Sequence, residues 1–324
     1  MVDVHNHLGR WLSQDGTWLV PDVGTLLGLM DAVGVATMVN LDGRWGAELD
    51  ENVSRYDAAH PGRFVTFCHV DWGRLADDDD SGSVVSALQA ALAESADRGA
   101  RGVKVWKDLG LTTRDSAGDL VRPDDPRVVA VLRTAGDLGL PVLIHTADPV
   151  AFFAPLDAAN ERVDELSAHP QWWFGRAGLP TFAELMAGLD RLVGACPATT
   201  FVGAHVGCWA EDLEQVGRML VHHRNWHVDL AGRLGEIGRQ PRTFRRFVEQ
   251  FPDRVLFGSD AFPPSSDPYR RYYRFLETDD DSFDYTDEVI PPQGRWAIHG
   301  CDLGPGLLEA VYSGNARRLL GLPT

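Results

Sequence analysis

An alternation narrows the fold more than any other feature of this chain. Eight short runs rich in β-branched residues, at 2–5, 35–41, 64–70, 102–106, 142–145, 200–205, 227–230 and 255–260, are each followed by a segment able to form a helix. Strands joined by helices run parallel, because the crossover helix carries the chain back to the end where the previous strand began. Eight such units in 324 residues fit one (β/α)8 TIM barrel. Two connections exceed an ordinary loop and read as insertions after the fifth and eighth strands, at 148–180 and 261–300. No linker composition or internal repeat divides the chain, so residues 1–324 are expected to form a single barrel domain.

In such a barrel the chemistry collects at the carboxyl ends of the strands, and the polar residues of this sequence collect there. His5 and His7 close the first run, His145 the fifth, His205 the sixth and Asp260 the eighth, while Lys104 and Trp106 share one face of the fourth. Alternation along a strand puts His5 and His7 on one face, opposite Val4 and Asn6, as a chelating pair for zinc or a neighbouring first-row ion. Taken singly, each histidine is more readily a hydrogen-bonded core or loop residue. As a set at strand ends with an aspartate, they indicate a metal centre.

Composition excludes other classes. With 47 acidic against 30 basic residues, the formal charge of −17 repels nucleic-acid phosphates and anionic membranes. No charged leader precedes an apolar run at the start, and no apolar stretch approaches the ~18 residues of a membrane span; the expected location is the cytoplasm. Cys68, Cys196, Cys208 and Cys301 lie far apart and read as reduced thiols. The expected partner is a small-molecule substrate, and assembly into a homo-oligomer stays open.

The ordered set His5-Asn6-His7, Ile144-His145-Thr146, Gly203-Ala204-His205-Val206-Gly207 and Phe257-Gly258-Ser259-Asp260, with the closing stretch 311–321, resembles the amidohydrolase superfamily. Within it, the chain is similar to the branch that includes aminocarboxymuconate-semialdehyde decarboxylase, over essentially its whole length. The resemblance implies that His5, His7, His145 and Asp260 bind one divalent metal, Zn2+ first and Mn2+ or Fe2+ as alternatives. It also implies that His205 is a nearby acid/base and that one coordination position is open to water. Lys104 is the ambiguous residue. In binuclear members a carboxylated lysine on this strand bridges two ions, whereas in the branch resembled here a single ion is expected and the lysine pairs with a substrate carboxylate.

A metal with an open position lowers the pKa of water from ~15.7 toward ~7 and polarises a carbonyl. The first expectation is therefore a hydrolase acting on a small amide, ester or lactone, with Asp260 and His205 handling protons and Lys104, Trp106 and Arg233 binding substrate. The alternative is a non-oxidative decarboxylase of a small unsaturated or aromatic acid, and a more remote one is a barrel that binds without catalysing. Cations aimed at a departing carboxylate would favour the decarboxylase; Lys104, Arg233, Arg239 and Arg270 are the candidates. Among lesser signals, the acidic run 77–80 reads as a solvated loop, His222, His223 and His227 as a surface turn, and the aromatic cluster Trp172, Trp173 and Phe174 as a lid or an oligomer contact.

Overall fold

A computed structural model describes residues 1–77 and 81–323. Most of the acidic run, Asp78 to Asp80, lies outside the described residues. The strands are β1 (Val2–Asn6), β2 (Thr37–Asn40), β3 (Phe64–Thr66), β4 (Cys68–His69), β5 (Val103–Val105), β6 (Val142–Ile144), β7 (Phe201–Gly203), β8 (Trp226–Asp229) and β9 (Val255–Leu256). They pair parallel in the orders β1-β2-β3 and β4-β5-β6-β7-β8-β9.

Two seams join these sheets into one ring. β3 and β4 are halves of the third expected strand, which bonds a different neighbour with each alternate residue: Phe67 N–H donates to Asn40 O on β2 (2.9 Å) and Cys68 N–H to Gly102 O before β5 (2.9 Å). Across the other seam Val4 N–H donates to Phe257 O (3.0 Å) and Asp260 N–H to His5 O (2.9 Å). The result is an α/β barrel with eight strand positions, as the alternation requires.

Its packing has two layers. Val103, Val105, Val142, Ile144, Phe201, Val228 and Val255 face outward into the apolar layer beneath the helices. Val2, Val4, Val39, Val65, Phe67, Leu143, Val202 and Leu256 form a second cluster, joined by Ala316 and Leu320 of the last helix. Leu143 is in register with Lys104, so this second cluster lies on Lys104's side of the sheet. Val4 therefore shares a side with Lys104, and so does His5, whose Nε2 is 3.4 Å from Lys104 Nζ. Strict alternation had put Val4 and His5 on opposite faces. The register shifts between Asp3 and Asn6, and an irregularity of that kind re-aims a side chain next to a site.

The helices follow their end signals. Asp22 caps Val23–Ala32 by accepting from Gly24 N–H, Asp125 with Pro126 opens Pro126–Asp137, and Thr181 with Glu184 forms a capping box on Phe182–Ala195. Residues 148–180 carry short turns and the helix Val163–Ala168. There Phe174 is buried against Phe152 and Phe153, and Trp173 Nε1–H donates to Ala154 O (2.8 Å). Residues 261–300 contain the helix Ser266–Glu277, which buries Tyr269, Tyr272, Phe275 and Leu276. All four cysteines are buried and unpaired. Among the described residues no helix is long and apolar enough to cross a membrane.

Candidate metal centre

At the carboxyl end of the barrel, donor atoms of His5, His205 and Asp260 lie within 4.8 Å of one another. Asp260 Oδ1 is 3.9 Å from Nε2 of His5 and 3.9 Å from Nε2 of His7. The rings of His145 and His205 are 4.4 Å apart and those of His5 and His205 4.8 Å. Donors bonded to one tetrahedral ion at ~2.0–2.1 Å stand about 3.4 Å from each other, so the grouped donors of His5, His205 and Asp260 approach the scale of a single-ion site, with His205 among them.

Three imidazoles are held by their Nδ1 atoms. His5 Nδ1–H donates to Asp229 Oδ2 (2.8 Å), His7 Nδ1–H to Asp42 Oδ1 (2.6 Å) and His205 Nδ1–H to Ala231 O (2.7 Å). A proton fixed on Nδ1 leaves the Nε2 lone pair free, which is how a carboxylate or carbonyl behind a histidine prepares it as a ligand. His145 is different. Both its nitrogens are buried without a hydrogen bond, and the nearest acid, Asp148 Oδ1, is 3.4 Å from Nε2. An imidazole left so in a protein interior is a polar group awaiting a partner.

Burial also sets the protonation states. It holds His5 and His205 well below the ordinary histidine range and lowers His145 to about 4, so these rings are neutral at pH 7. Burial raises Asp229 to about 6, against the hydrogen bonds it accepts from His205 N–H (2.7 Å) and Ala231 N–H (3.0 Å). Lys104, fully buried, is lowered to about 8 by desolvation, which the charges of Asp260 and Asp229 oppose. The donor set of neutral imidazoles and one carboxylate suits zinc, manganese or iron.

The backbone is strained at the same place. His205, Val206, Gly207 and Cys208 have φ of 60°, 58°, 64° and 57°, and Asp260 has φ of 52°. Left-handed conformation costs an ordinary residue about 1–2 kcal/mol and is a genuine outlier for β-branched Val206. Such strain persists where the surroundings over-determine it, commonly at functional sites. Here Asp229 and Ala231 hold His205 by its N–H and its ring.

Every residue expected at the site lies in or beside this cluster. Trp106 stands against His7 and His145, at ring separations of 5.7 and 5.4 Å, and Lys104 touches His5. Arg233 is half-buried, and its charge bears on His5, His205 and Asp260. Of the other candidate cations, Arg239 pairs with Glu161 (2.7 Å) and Arg270 is exposed on Ser266–Glu277. Sequence reasoning missed Asp229, Asp42 and His69. Each sits at or just past a strand end, which is the one signal that could have found it. His69 Nε2–H donates to Leu41 O (2.6 Å) and its ring meets Trp11 at 4.7 Å. His223 bonds Asp190 (2.8 Å), away from the cluster, whereas His227, expected in a surface turn, lies within β8 and is half-buried.

The profile of the amidohydrolase family matches residues 2–322. No curated protein matches the chain. Among solved structures the fold is similar to a 2,6-dihydroxybenzoate decarboxylase from Rhizobium, at 16% identity over 99% of this chain and 98% of that one, TM-score 0.59. It is also similar to a dihydroxybenzoic acid decarboxylase from a Polaromonas species with bound manganese and the inhibitor 2-nitroresorcinol, at 15% identity over 99% and 96%, TM-score 0.59. A third is an amidohydrolase from Burkholderia multivorans with bound zinc, at 14% identity over 99% of both chains, TM-score 0.57. At these identities the likeness is one of fold.

Proposed function

Because the chain belongs to the amidohydrolase family, we propose that it is a metal-dependent enzyme whose single divalent ion is held by His5, His7, His145 and Asp260, and that it removes CO2 from a small aromatic or unsaturated acid. The observation that carries the choice of reaction is the buried cation Lys104, 3.4 Å from His5 and beside the ring of Trp106, with the charge of half-buried Arg233 bearing on the same cluster. This order reverses the first expectation from sequence, and the decarboxylases among the fold relatives support the reversal.

When bound, the ion supplies Lewis-acid polarisation of substrate oxygens and a water of lowered pKa. The chain's own groups do the rest. Lys104 and Arg233 orient the carboxylate, and Trp106 offers an apolar face to a planar substrate. His205, with Nδ1–H committed to Ala231 O, takes a proton at Nε2 and delivers it to the carbon that CO2 leaves. The balance is R–COO⁻ plus H⁺ giving R–H and CO2.

Hydrolysis is the second reading, favoured by the family itself and by the same neutral histidines. In that case Asp260 accepts a proton from water and His205 passes one to the leaving group. One experiment separates them. Metal-reconstituted enzyme is offered small aromatic and unsaturated acids and, in parallel, lactones and amides, with CO2 and ring or amide cleavage both measured. Chelator-sensitive CO2 release is expected; cleavage of the neutral substrates without CO2 would establish hydrolysis instead.

A further inference from the structure

Asp3 is fully buried, and almost everything it bonds flanks the cluster. Its Oδ1 accepts from His5 N–H (3.1 Å) and Ser259 N–H (3.0 Å), and its Oδ2 from the hydroxyls of Ser259 (2.6 Å) and Tyr269 (2.7 Å). The Ser259 hydroxyl also accepts from Ala261 N–H (3.2 Å). Both chain neighbours of Asp260 are therefore tied to Asp3, one directly and one through the serine, while Asp260 N–H bonds His5 O (2.9 Å). These bonds cross the seam where the first strand meets the last. Between the tied residues, Asp260 holds a left-handed backbone that an untethered aspartate would tend to leave.

We propose that Asp3 is a positioning residue, a clasp across the barrel seam that sets the gap between the His5 and Asp260 side chains and so tunes metal affinity. The inference rests on the assignment of His5 and Asp260 as ligands. Its physical content is that the carboxylate's four bonds fix two ligand-bearing segments relative to each other, which a group serving stability alone has no need to do. Tyr269, on Ser266–Glu277, couples the segment after the last strand to the same carboxylate.

The test is the zinc dissociation constant, by competition with a chromophoric chelator, and the melting temperature of the metal-free protein, for wild type and five variants. Asp3→Asn and Ser259→Ala should weaken zinc about tenfold or more, the scale of lost outer-shell support. Ser259→Thr, which keeps the hydroxyl, should bind like wild type, and Tyr269→Phe should fall between. Leu189→Ala, in the core of Phe182–Ala195, lowers the melting temperature without touching the seam and should leave zinc affinity unchanged. If Asp3→Asn does not fold, Ser259→Ala and Tyr269→Phe decide, since each deletes one hydroxyl. Affinities within about twofold of wild type in the seam variants, despite lower melting temperatures, would reduce the clasp to a structural feature and overturn the proposal. A wild type that binds no zinc would overturn the ligand assignment and the clasp with it.

Discussion

Replacing Asp229 by asparagine isolates one contact of the centre. The carboxamide oxygen can still accept from His205 N–H and Ala231 N–H, now 2.7 and 3.0 Å from Asp229 Oδ1, so the backbone around His205 keeps its bonds. The amide NH2, however, replaces the oxygen that meets His5 Nδ1 at 2.8 Å. It donates to Nδ1, which drives the imidazole proton to Nε2 and occupies the lone pair needed for metal. Binding then requires the tautomer to revert, leaving two buried donors facing each other at a cost of about 1–3 kcal/mol, or roughly 5–150-fold in Kd. Outer-shell substitutions behind ligating histidines typically cost ~10–100-fold, which agrees. The assay is a competition titration with zinc, alongside the melting temperature of the metal-free protein. We expect weaker metal binding with little change in melting. An unchanged Kd would refute the argument that Asp229 sets the tautomer of His5.

Other outcomes follow from the same geometry. Asp42→Asn should act on His7 as Asp229→Asn acts on His5, because Asp42 Oδ2 keeps Gly9 N–H (3.0 Å) while Oδ1 is the atom on Nδ1 (2.6 Å); the same titration checks it. His145→Asn should lose metal, whereas His205→Asn should retain it and drop kcat by ~10²–10⁴, measured as metal content against turnover. Arg233→Met should raise KM for an acidic substrate more than it lowers kcat, since the charge orients rather than reacts. Burial lowers His227 from the usual histidine value to about 4, so the folded state binds fewer protons than the unfolded one between pH 4 and 6.5. Its contribution is therefore complete above pH 6.5 and is lost as pH falls, and His227→Gln should flatten that slope by at most ~1.4 kcal/mol per pH unit in the metal-free protein.

What the sequence disclosed was whatever rests on local pattern. The β-branched runs, the helix-compatible segments between them and the histidines at strand ends are each visible within a few residues, and they led to the barrel. The rest depends on pairing across long separations. Asp229 lies 224 residues from His5, and nothing local distinguishes it from the other acidic residues. The third expected strand joins the two sheets because Phe67 N–H bonds Asn40 O while Cys68 N–H bonds Gly102 O, partners distant in sequence on opposite sides. The side of Val4 was misjudged because a register shift is a property of two strands together. The helix Ser266–Glu277 escaped because its buried stripe, Tyr269, Tyr272 and Leu276, is partly tyrosine among arginines and reads as polar.

Anomalous diffraction at the metal edge, from crystals of the loaded protein, counts the ions in the cluster and locates them. A single peak is expected at ~2.0–2.2 Å from donor atoms of His5, His7, His145 and Asp260, with His205 outside bonding distance and Lys104 unmodified. No peak there, or two peaks roughly 3.5–4 Å apart bridged by a carboxylated Lys104 with His205 bound to the second, would contradict it.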